Sequence, residues 1–234
     1  ACVAVGSGAY GRRELTIRIN GADTEWYAAD MAASCAAGPD AIVVPKVDSV
    51  EAVQVLVDAM ERHGAPDHTT LWAMIETPRA MLHAEEIAAA SERLSVLVMG
   101  TNDLAKELYA EHVPGRAPLL TGLSLALLAA RATGKAILDG VYNDVRNAEG
   151  FWAECRQGRE MGFDGKTLIH PGQVEAANEV FAPSAEAVAD AEAVIAAWEA
   201  AAGSGVVTHN GRMIEALHVD TARRTLAIHA ALTA

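Results

Sequence analysis

Short apolar runs alternate with longer amphipathic stretches along most of this chain, and each run closes on a polar residue. The runs occupy residues 15–19, 41–44, 71–75, 96–99, 137–141 and 167–169, and close on Asn20, Lys46, Glu76, Asp103, Asp144 and His170. Strand–helix alternation predicts a parallel sheet, and polar residues at the carboxyl ends of its strands predict a barrel whose rim performs chemistry. An enzyme is therefore the leading interpretation.

Helices are predicted between these runs, at residues 24–37, 49–63, 78–92, 119–133 and 148–161. Ser49 precedes one of them and Pro78 stands at the first position of another, as is typical of helix starts. Glycine follows four of the five stretches, where a helix commonly ends.

The fold class that this pattern predicts is α/β, a TIM (β/α)8-type barrel over residues 1–183. Six strands are too few to close the common parallel barrel, so we expect the first two strand–helix units to be missing from this chain; an open sheet is the alternative. Residues 184–234 are expected to form an extension that reaches a neighbouring subunit. It comprises a helix at 184–202, a hairpin around Asn210-Gly211 and a helix at 221–232.

Composition narrows the class of protein. With 234 residues, 51% of them apolar, the chain can bury a large core. A formal charge of −13 argues against a nucleic-acid partner, and an anionic ligand must meet a locally basic pocket. Cys2, Cys35 and Cys155 have no metal-site or disulfide spacing, which favours a reducing cytoplasm. A membrane span needs about 18 apolar residues, and no apolar run in this sequence is that long. No secretory leader is recognised either, so we expect no membrane association.

Two carboxylates follow consecutive predicted strands, Glu76 after 71–75 and Asp103 after 96–99. On neighbouring barrel strands they would project into one rim pocket, and a pair of hard oxygen donors with open positions suits Mg²⁺. The alternative is that each acidic residue only begins a helix and favours its positive end. Spacing alone does not separate these two interpretations.

Arg18 lies near the end of the first run, where its guanidinium would bind a carboxylate or an enolate oxygen. A position on the solvated surface is the alternative. The turn Gly100-Thr101-Asn102 precedes a helix, so its backbone N–H groups are candidates to hold an oxyanion, although such a turn alone is a weak signal.

An ordered set of short motifs runs from about residue 15 to the C-terminus, and the set is more specific than any one motif. The motifs are residues 18–21 (Arg-Ile-Asn-Gly), 45–46 (Pro-Lys), 75–79 (Ile-Glu-Thr-Pro-Arg), 100–104 (Gly-Thr-Asn-Asp-Leu), 139–142 (Asp-Gly-Val-Tyr), 162–166 (Gly-Phe-Asp-Gly-Lys), 169–173 (Ile-His-Pro-Gly-Gln) and 211–214 (Gly-Arg-Met-Ile). Taken together, these segments resemble the HpcH/HpaI aldolase and citrate lyase beta-subunit superfamily, in particular its malyl-CoA lyase branch.

The resemblance implies a Mg²⁺-dependent barrel that assembles as a homotrimer or a hexamer. Such a barrel cleaves or forms a carbon–carbon bond next to a thioester. It matches Glu76 and Asp103 to the metal ligands, Arg18 to the arginine that grips the keto acid, and Gly100, Thr101 and Asn102 to the cradle of the substrate carboxylate.

Two departures from the family pattern matter. The family's opening Pro-Gly strand and its acidic second strand are not found in this chain. Glu215 stands where the lyases have an acid-base aspartate that reaches a neighbour's pocket, and its extra methylene changes the reach of the carboxylate.

The expected activity is Mg²⁺-dependent cleavage of a (3S)-malyl-CoA-like thioester into acetyl-CoA and glyoxylate or a related 2-oxo acid, with Arg18 and Glu215 as the catalytic residues. Three alternatives stay open: hydrolysis of malyl-CoA on the same scaffold, a pyruvate-type aldolase that needs no CoA, and a non-catalytic trimer that binds acyl-CoA.

Overall fold

The computed structural model describes residues 1–201, 206–209 and 211–233, and these form two compact units, Ala1–Val174 and Glu175–Ala234. A division after residue 183 between a barrel domain and an extension stays a prediction. In the described part of the chain, no helix combines the length and the apolar character needed to cross a bilayer.

The first unit is built on a six-stranded parallel sheet, a curled half-barrel in which every strand pairs with its neighbours in chain order. The strands are β1 (Thr16–Arg18), β2 (Ala41–Val44), β3 (Thr70–Ile75), β4 (Leu94–Met99), β5 (Ala136–Asp139) and β6 (Gly165–Lys166). Because the strands are parallel and sequential, all of their carboxyl ends lie at one edge of the sheet.

Burial along the strands shows how the sheet presents its two faces. All four residues of β2 are buried, whereas β3 alternates, with Leu71, Ala73 and Ile75 buried and the intervening residues half-buried. Since side chains in a strand alternate between faces, Trp72 and Met74 share one face, and the next position on that face is Glu76. The alternation along β3 therefore places Glu76, the first candidate carboxylate, on the same face as Trp72 and Met74.

Helices follow the strands of the first unit. They are α2 (Tyr27–Ala37), α3 (Val50–Arg62), α4 (Pro78–Leu82), α5 (Ala84–Ala89), α6 (Thr101–Glu107), α7 (Leu120–Ala132) and α8 (Ala148–Met161), with 3₁₀ turns at Pro114–Leu119 and Pro171–Gln173. The short helix α1 (Cys2–Val5) precedes β1, and α9 (Val174–Phe181) begins at the last residue of the first unit and otherwise belongs to the second. The side chains of Ser49, Thr77 and Asn147 accept the first-turn N–H groups of α3, α4 and α8 at 2.9–3.1 Å. Gly38 and Gly162 end α2 and α8 in the left-handed conformation, as the glycine pattern predicts.

Two elements of the first unit differ from their predicted form. The helix predicted over 78–92 is divided at His83, whose φ of −115° and ψ of 18° end α4 and begin α5. The last strand lies at Gly165–Lys166 rather than at 167–169. At the end of this short pairing, the N–H and the hydroxyl of Thr167 both donate to the carbonyl of Asp139, at 2.9 and 3.1 Å.

The second unit contains α10 (Ala185–Ala200), the antiparallel pair β7 (Val207–His209) and β8 (Arg212–Ile214), and α11 (Ala216–Thr233). Helices α10 and α11 pack against each other. The predicted hairpin is present as the β7–β8 pair, and Gly211 has the positive φ, 74°, that its turn requires, while Asn210 lies outside the described residues. Helix α11 begins before the predicted residue 221.

A buried charge network joins β5, β6 and α8. The guanidinium of Arg116 donates to both carboxylate oxygens of Asp139, at 2.7 and 2.8 Å, and the ammonium of Lys166 lies 3.0 Å from Asp139 and 2.7 Å from Glu154. The two cationic side chains therefore face two carboxylates, and buried charges need such oppositely charged partners to offset their lost hydration. The network holds Asp139 where β5 leads into the loop at the carboxyl edge of the sheet.

Cys155 lies fully buried beside this network, and burial raises the pKa of its thiol to about 11, a shift that the charge of Lys166 partly opposes. At pH 8 only about one such thiol in a thousand is ionised, and the thiolate is the reactive form. Cys35 is also buried with a raised pKa, whereas Cys2 is half-buried.

We therefore expect Ellman's reagent to modify one thiol per native chain quickly at pH 8 and all three in denaturant. Cys2→Ser should abolish the fast reaction and Cys155→Ser should leave it unchanged. Two or three fast thiols in the native protein would contradict the burial of Cys35 and Cys155.

Candidate active site

A cavity of about 350 Å³ opens at the carboxyl edge of the sheet in the first unit, and its wall contains every predicted site residue of that unit. Its walls come from the ends of β1 to β4 and from the segments that follow β4, β5 and β6. The lining residues are Thr16, Arg18, Val43, Trp72, Met74, Glu76, Val98, Met99, Gly100, Thr101, Asn102, Asp103, Val141, Thr167, Leu168 and Ile169.

Glu76 is the buried acid of this cavity, with 2% of the residue exposed. One carboxylate oxygen, Oε1, accepts the backbone N–H of Lys46 at 2.9 Å. Lys46 has a φ of 56°, in the left-handed region that non-glycine residues adopt only at some energetic cost. The end of β2 is thus bent so that a main-chain donor meets the carboxylate at the end of β3.

The electrostatic surroundings of Glu76 place two other site residues near it. Burial raises the pKa of Glu76 above its ordinary value; the Lys46 N–H lowers that pKa, the charge of Asp103 raises it, and the charges of Lys46 and Arg18 lower it. Asp103 and Arg18 therefore lie within electrostatic reach of the Glu76 carboxylate. The net result is an anion with incomplete compensation for its lost hydration.

Asp103 enters the cavity from the neighbouring strand. Ile75 pairs with Met99 in the β3–β4 register, and the N–H of Gly100 donates to the carbonyl of Ile75 at 3.1 Å. Asp103 then lies half-buried in the first turn of α6. The two carboxylates, predicted from consecutive strands, thus line one cavity.

Gly100 has no room for a side chain. A Cβ at this position would overlap Oε2 and Cβ of Glu76. The backbone of Gly100 lies directly against the Glu76 carboxylate. The turn that leads to Asp103 is therefore in van der Waals contact with the end of β3.

The carboxylate oxygens of Glu76 and Asp103 are donors of the kind that a hard divalent cation prefers. In the ranges 1–201, 206–209 and 211–233, no group of three or more His, Cys, Asp or Glu side chains is placed to share a metal ion. A two-carboxylate site leaves positions for water and substrate oxygens, which Mg²⁺ generally retains. The helix-start alternative applies to Asp103 in the first turn of α6 but not to Glu76, which precedes the cap residue Thr77 of α4.

Polar groups without protein partners also belong to the cavity wall. Arg18 is exposed to the cavity, and its side chain has no hydrogen bond or ion pair with the described residues. Thr101 Oγ1 and Trp72 Nε1 are buried and have no hydrogen-bond partner in the described part of the chain. A ligand in the cavity would therefore meet a cationic side chain without a competing partner among the described residues.

Several lining residues are not among the predicted site residues. Trp72 and Met74 share the face of Glu76, so extending the strand period back from Glu76 identifies them. The contribution of Lys46 is a backbone N–H, which no side-chain pattern reveals. His170 caps a 3₁₀ turn by accepting the N–H of Gly172 at 3.0 Å.

Glu215 belongs to the second unit, between β8 and α11, where it is half-buried. Its backbone N–H donates to Nδ1 of His218 at 3.0 Å. The acid-base role expected for its carboxylate stays a prediction.

Two family models match the chain. The model of HpcH/HpaI aldolase/citrate lyase matches residues 6–171, and that of the C–C bond lyases of the TIM-barrel fold matches residues 120–231. A citrate lyase structure from Burkholderia xenovorans LB400 aligns with a TM-score of 0.80 over 93% of this chain and 72% of that chain, at 22% identity. The α/β barrel-type fold is thereby confirmed.

Relatives with assigned activities are similar over nearly the whole chain. A (3S)-malyl-CoA thioesterase of Cereibacter sphaeroides is 52% identical over 96% of this chain and 77% of its own length. The citrate lyase subunit beta of Leuconostoc mesenteroides subsp. cremoris is 38% identical over 93% of this chain and 74% of its own length. Protein CitE of Mycobacterium tuberculosis, in complex with magnesium, acetoacetate and coenzyme A, aligns with a TM-score of 0.74 at 29% identity, over 92% of this chain and 78% of that chain.

The contact between Gly100 and Glu76 leads to a stability prediction. Gly100→Ala forces the buried carboxylate to move and should lower the free energy of unfolding by about 1–3 kcal/mol, as overpacking does. At Gly6 a Cβ would meet only the carbonyl oxygen of Val3 at 4.0 Å, so the matched Gly6→Ala variant should change stability by less than about 0.5 kcal/mol. Urea denaturation of both variants checks this, and equal stabilities would show that Gly100 does not pack against Glu76.

Proposed function

The chain belongs to the HpcH/HpaI aldolase/citrate lyase family, and on that premise we propose that it hydrolyses a (3S)-malyl-CoA-like thioester to the free acid and coenzyme A. The observation that carries the proposal is that Arg18, Glu76 and Asp103 line one cavity at the carboxyl edge of the sheet. The thioesterase relatives favour hydrolysis over the carbon–carbon cleavage expected from the sequence. Hydrolysis and carbon–carbon cleavage are both activities on a CoA ester, the first of the thioesterase type and the second of the lyase type.

Glu76 and Asp103 would hold a Mg²⁺ ion, as their burial and donor chemistry allow. When bound, the ion would neutralise negative charge on the oxygens of the acid portion of the substrate. Glu76 contributes a carboxylate that the Lys46 N–H already orients, so little freedom is lost when the cation binds.

The remaining cavity residues bind and orient the acid. The Arg18 guanidinium pairs with the carboxylate of the malyl portion, since it has no competing partner among the described residues. The turn Gly100-Thr101-Asn102 supplies first-turn N–H groups of α6, which have no partner within the helix. Trp72 and Met74 form an apolar wall that limits access of water.

Hydrolysis adds one water across the thioester. The water oxygen forms a bond to the carbonyl carbon, the carbon–sulfur bond breaks, the sulfur leaves as the CoA thiol with one proton, and the acid keeps the hydroxyl. Glu215 is the proposed base that takes the proton of the attacking water and returns it to the departing sulfur. We propose that a neighbouring copy in a homotrimer or hexamer supplies it.

Carbon–carbon cleavage is the second candidate, favoured by the citrate lyase beta subunits among the relatives. In that reaction the malyl hydroxyl gives its proton to solvent water, the bond between the hydroxyl-bearing carbon and the carbon next to the thioester breaks, and its electron pair goes to a thioester enolate. Arg18 would stabilise the charge on the oxygen that becomes a carbonyl, and Glu215 would protonate the enolate carbon to give acetyl-CoA and glyoxylate.

Product analysis separates these reactions. Full-length protein with (3S)-malyl-CoA and Mg²⁺ should release malate and free CoA in equal amounts, measured by mass spectrometry. Acetyl-CoA with glyoxylate would instead establish cleavage and overturn hydrolysis. Turnover only of a hydroxy-oxo acid without thioester would indicate a CoA-independent aldolase, and tight CoA-ester binding without turnover a non-catalytic binding protein.

Removal of either carboxylate tests the cation assignment. Glu76→Gln and Asp103→Asn should each lower the Mg²⁺-dependent rate by about 100-fold or more, because charge stabilisation in such sites contributes several kcal/mol. Glu107→Gln, on the exposed part of α6, is the control and should retain the wild-type rate. Unchanged Mg²⁺-dependent turnover in both cavity variants would make the assignment wrong.

A further inference from the structure

A reciprocal pair of side-chain amides links two loops at the rim of the first unit. Asn102 Nδ2 donates to Asn143 Oδ1 at 3.0 Å, and Asn143 Nδ2 donates to Asn102 Oδ1 at 2.6 Å. The partners are far apart in sequence: Asn102 lies in the first turn of α6 and Asn143 in the loop after β5. Two parallel hydrogen bonds fix the relative orientation of these segments better than a single bond would.

The Asn143 side of the pair is anchored in the core. The carbonyl of the preceding residue, Tyr142, accepts a hydrogen bond at 3.0 Å from Gln173, which is buried. The Tyr142 ring packs against Phe151 of α8 with centroids 5.9 Å apart. The loop therefore presents Asn143 from a position that buried contacts determine.

The Asn102 side leads directly to the metal site. Thr101 is buried against Gly140, where a Cβ would come within 2.5 Å of the Thr101 hydroxyl oxygen. Asn102 stands between Thr101 and Asp103, so its side-chain contacts affect the direction of the first turn of α6. The first turn of α6 thus has two contacts with the segment after β5, the Thr101 side chain against Gly140 and the Asn102 amide with Asn143.

We propose that Asn143 is a positioning residue for the cation site, which orients Asp103 toward Glu76 through its paired amide with Asn102. This inference rests on the proposed function insofar as Asp103 binds a divalent cation. The amide pair is neutral, so it restricts the α6 turn without adding charge beside the two carboxylates. Both asparagines are exposed, and their loss therefore leaves the core intact.

Calorimetric titration of the full-length protein with Mn²⁺ or Mg²⁺, without substrate, tests this role. Asn143→Ala and Asn102→Ala should each weaken cation binding by about 3- to 10-fold, the range expected when one hydrogen-bonded contact is removed. The double variant should bind no more weakly than either single variant, because both changes remove the same contact.

Asn147→Ala is the matched control. Asn147 lies in the same loop, and its side chain accepts the N–H of Gly150 to cap α8. Its replacement should lower the thermal midpoint without changing cation affinity, whereas Asn143→Ala should change cation affinity and leave the midpoint in EDTA unchanged.

Wild-type affinity in Asn143→Ala, or losses in the single variants that multiply in the double variant, would overturn the positioning role and leave the proposed function intact. Wild-type protein that binds neither Mn²⁺ nor Mg²⁺ would overturn both.

Discussion

Glu76 carries its carboxylate at the end of β3 with 2% of the residue exposed, and a carboxylate that has lost so much water requires compensation. The surrounding structure supplies part of it. The backbone N–H of Lys46 binds one oxygen, and Gly100 leaves room for the other by having no side chain. Asp103 adds a second negative charge and Arg18 a positive one. Under the proposed function, a bound cation would offset the remaining deficit, and this would connect the fold to the proposed chemistry.

The order of the strands explains why much of this site was predictable from sequence. In a parallel sheet whose strands pair in chain order, residues that close consecutive apolar runs meet at one edge. Glu76 and Asp103 each close such a run, Arg18 lies near the end of another, and all three line the cavity. Gly162 likewise marks the end of α8, since capping is a local property of the chain.

Contacts between distant segments were not predictable in the same way. The ion pair of Arg116 with Asp139 depends on a tertiary approach that no periodic pattern records. The apolar run at 167–169 predicts the last strand two residues beyond its observed start, because the residues that pair with β5 are a glycine and a lysine, Gly165 and Lys166, which no apolar pattern marks. Glu215 lies in the second unit, and its expected contribution to a neighbour's cavity depends on assembly, which a single chain does not determine.

Cation binding by Glu76 and Asp103 is the central claim, and anomalous diffraction from crystals of the full-length protein grown with Mn²⁺ tests it most directly. The account predicts one strong anomalous peak in the cavity with carboxylate oxygens of both residues as ligands. A peak bound elsewhere, or a well-ordered cavity with both side chains in place and no peak at saturating Mn²⁺, would contradict it.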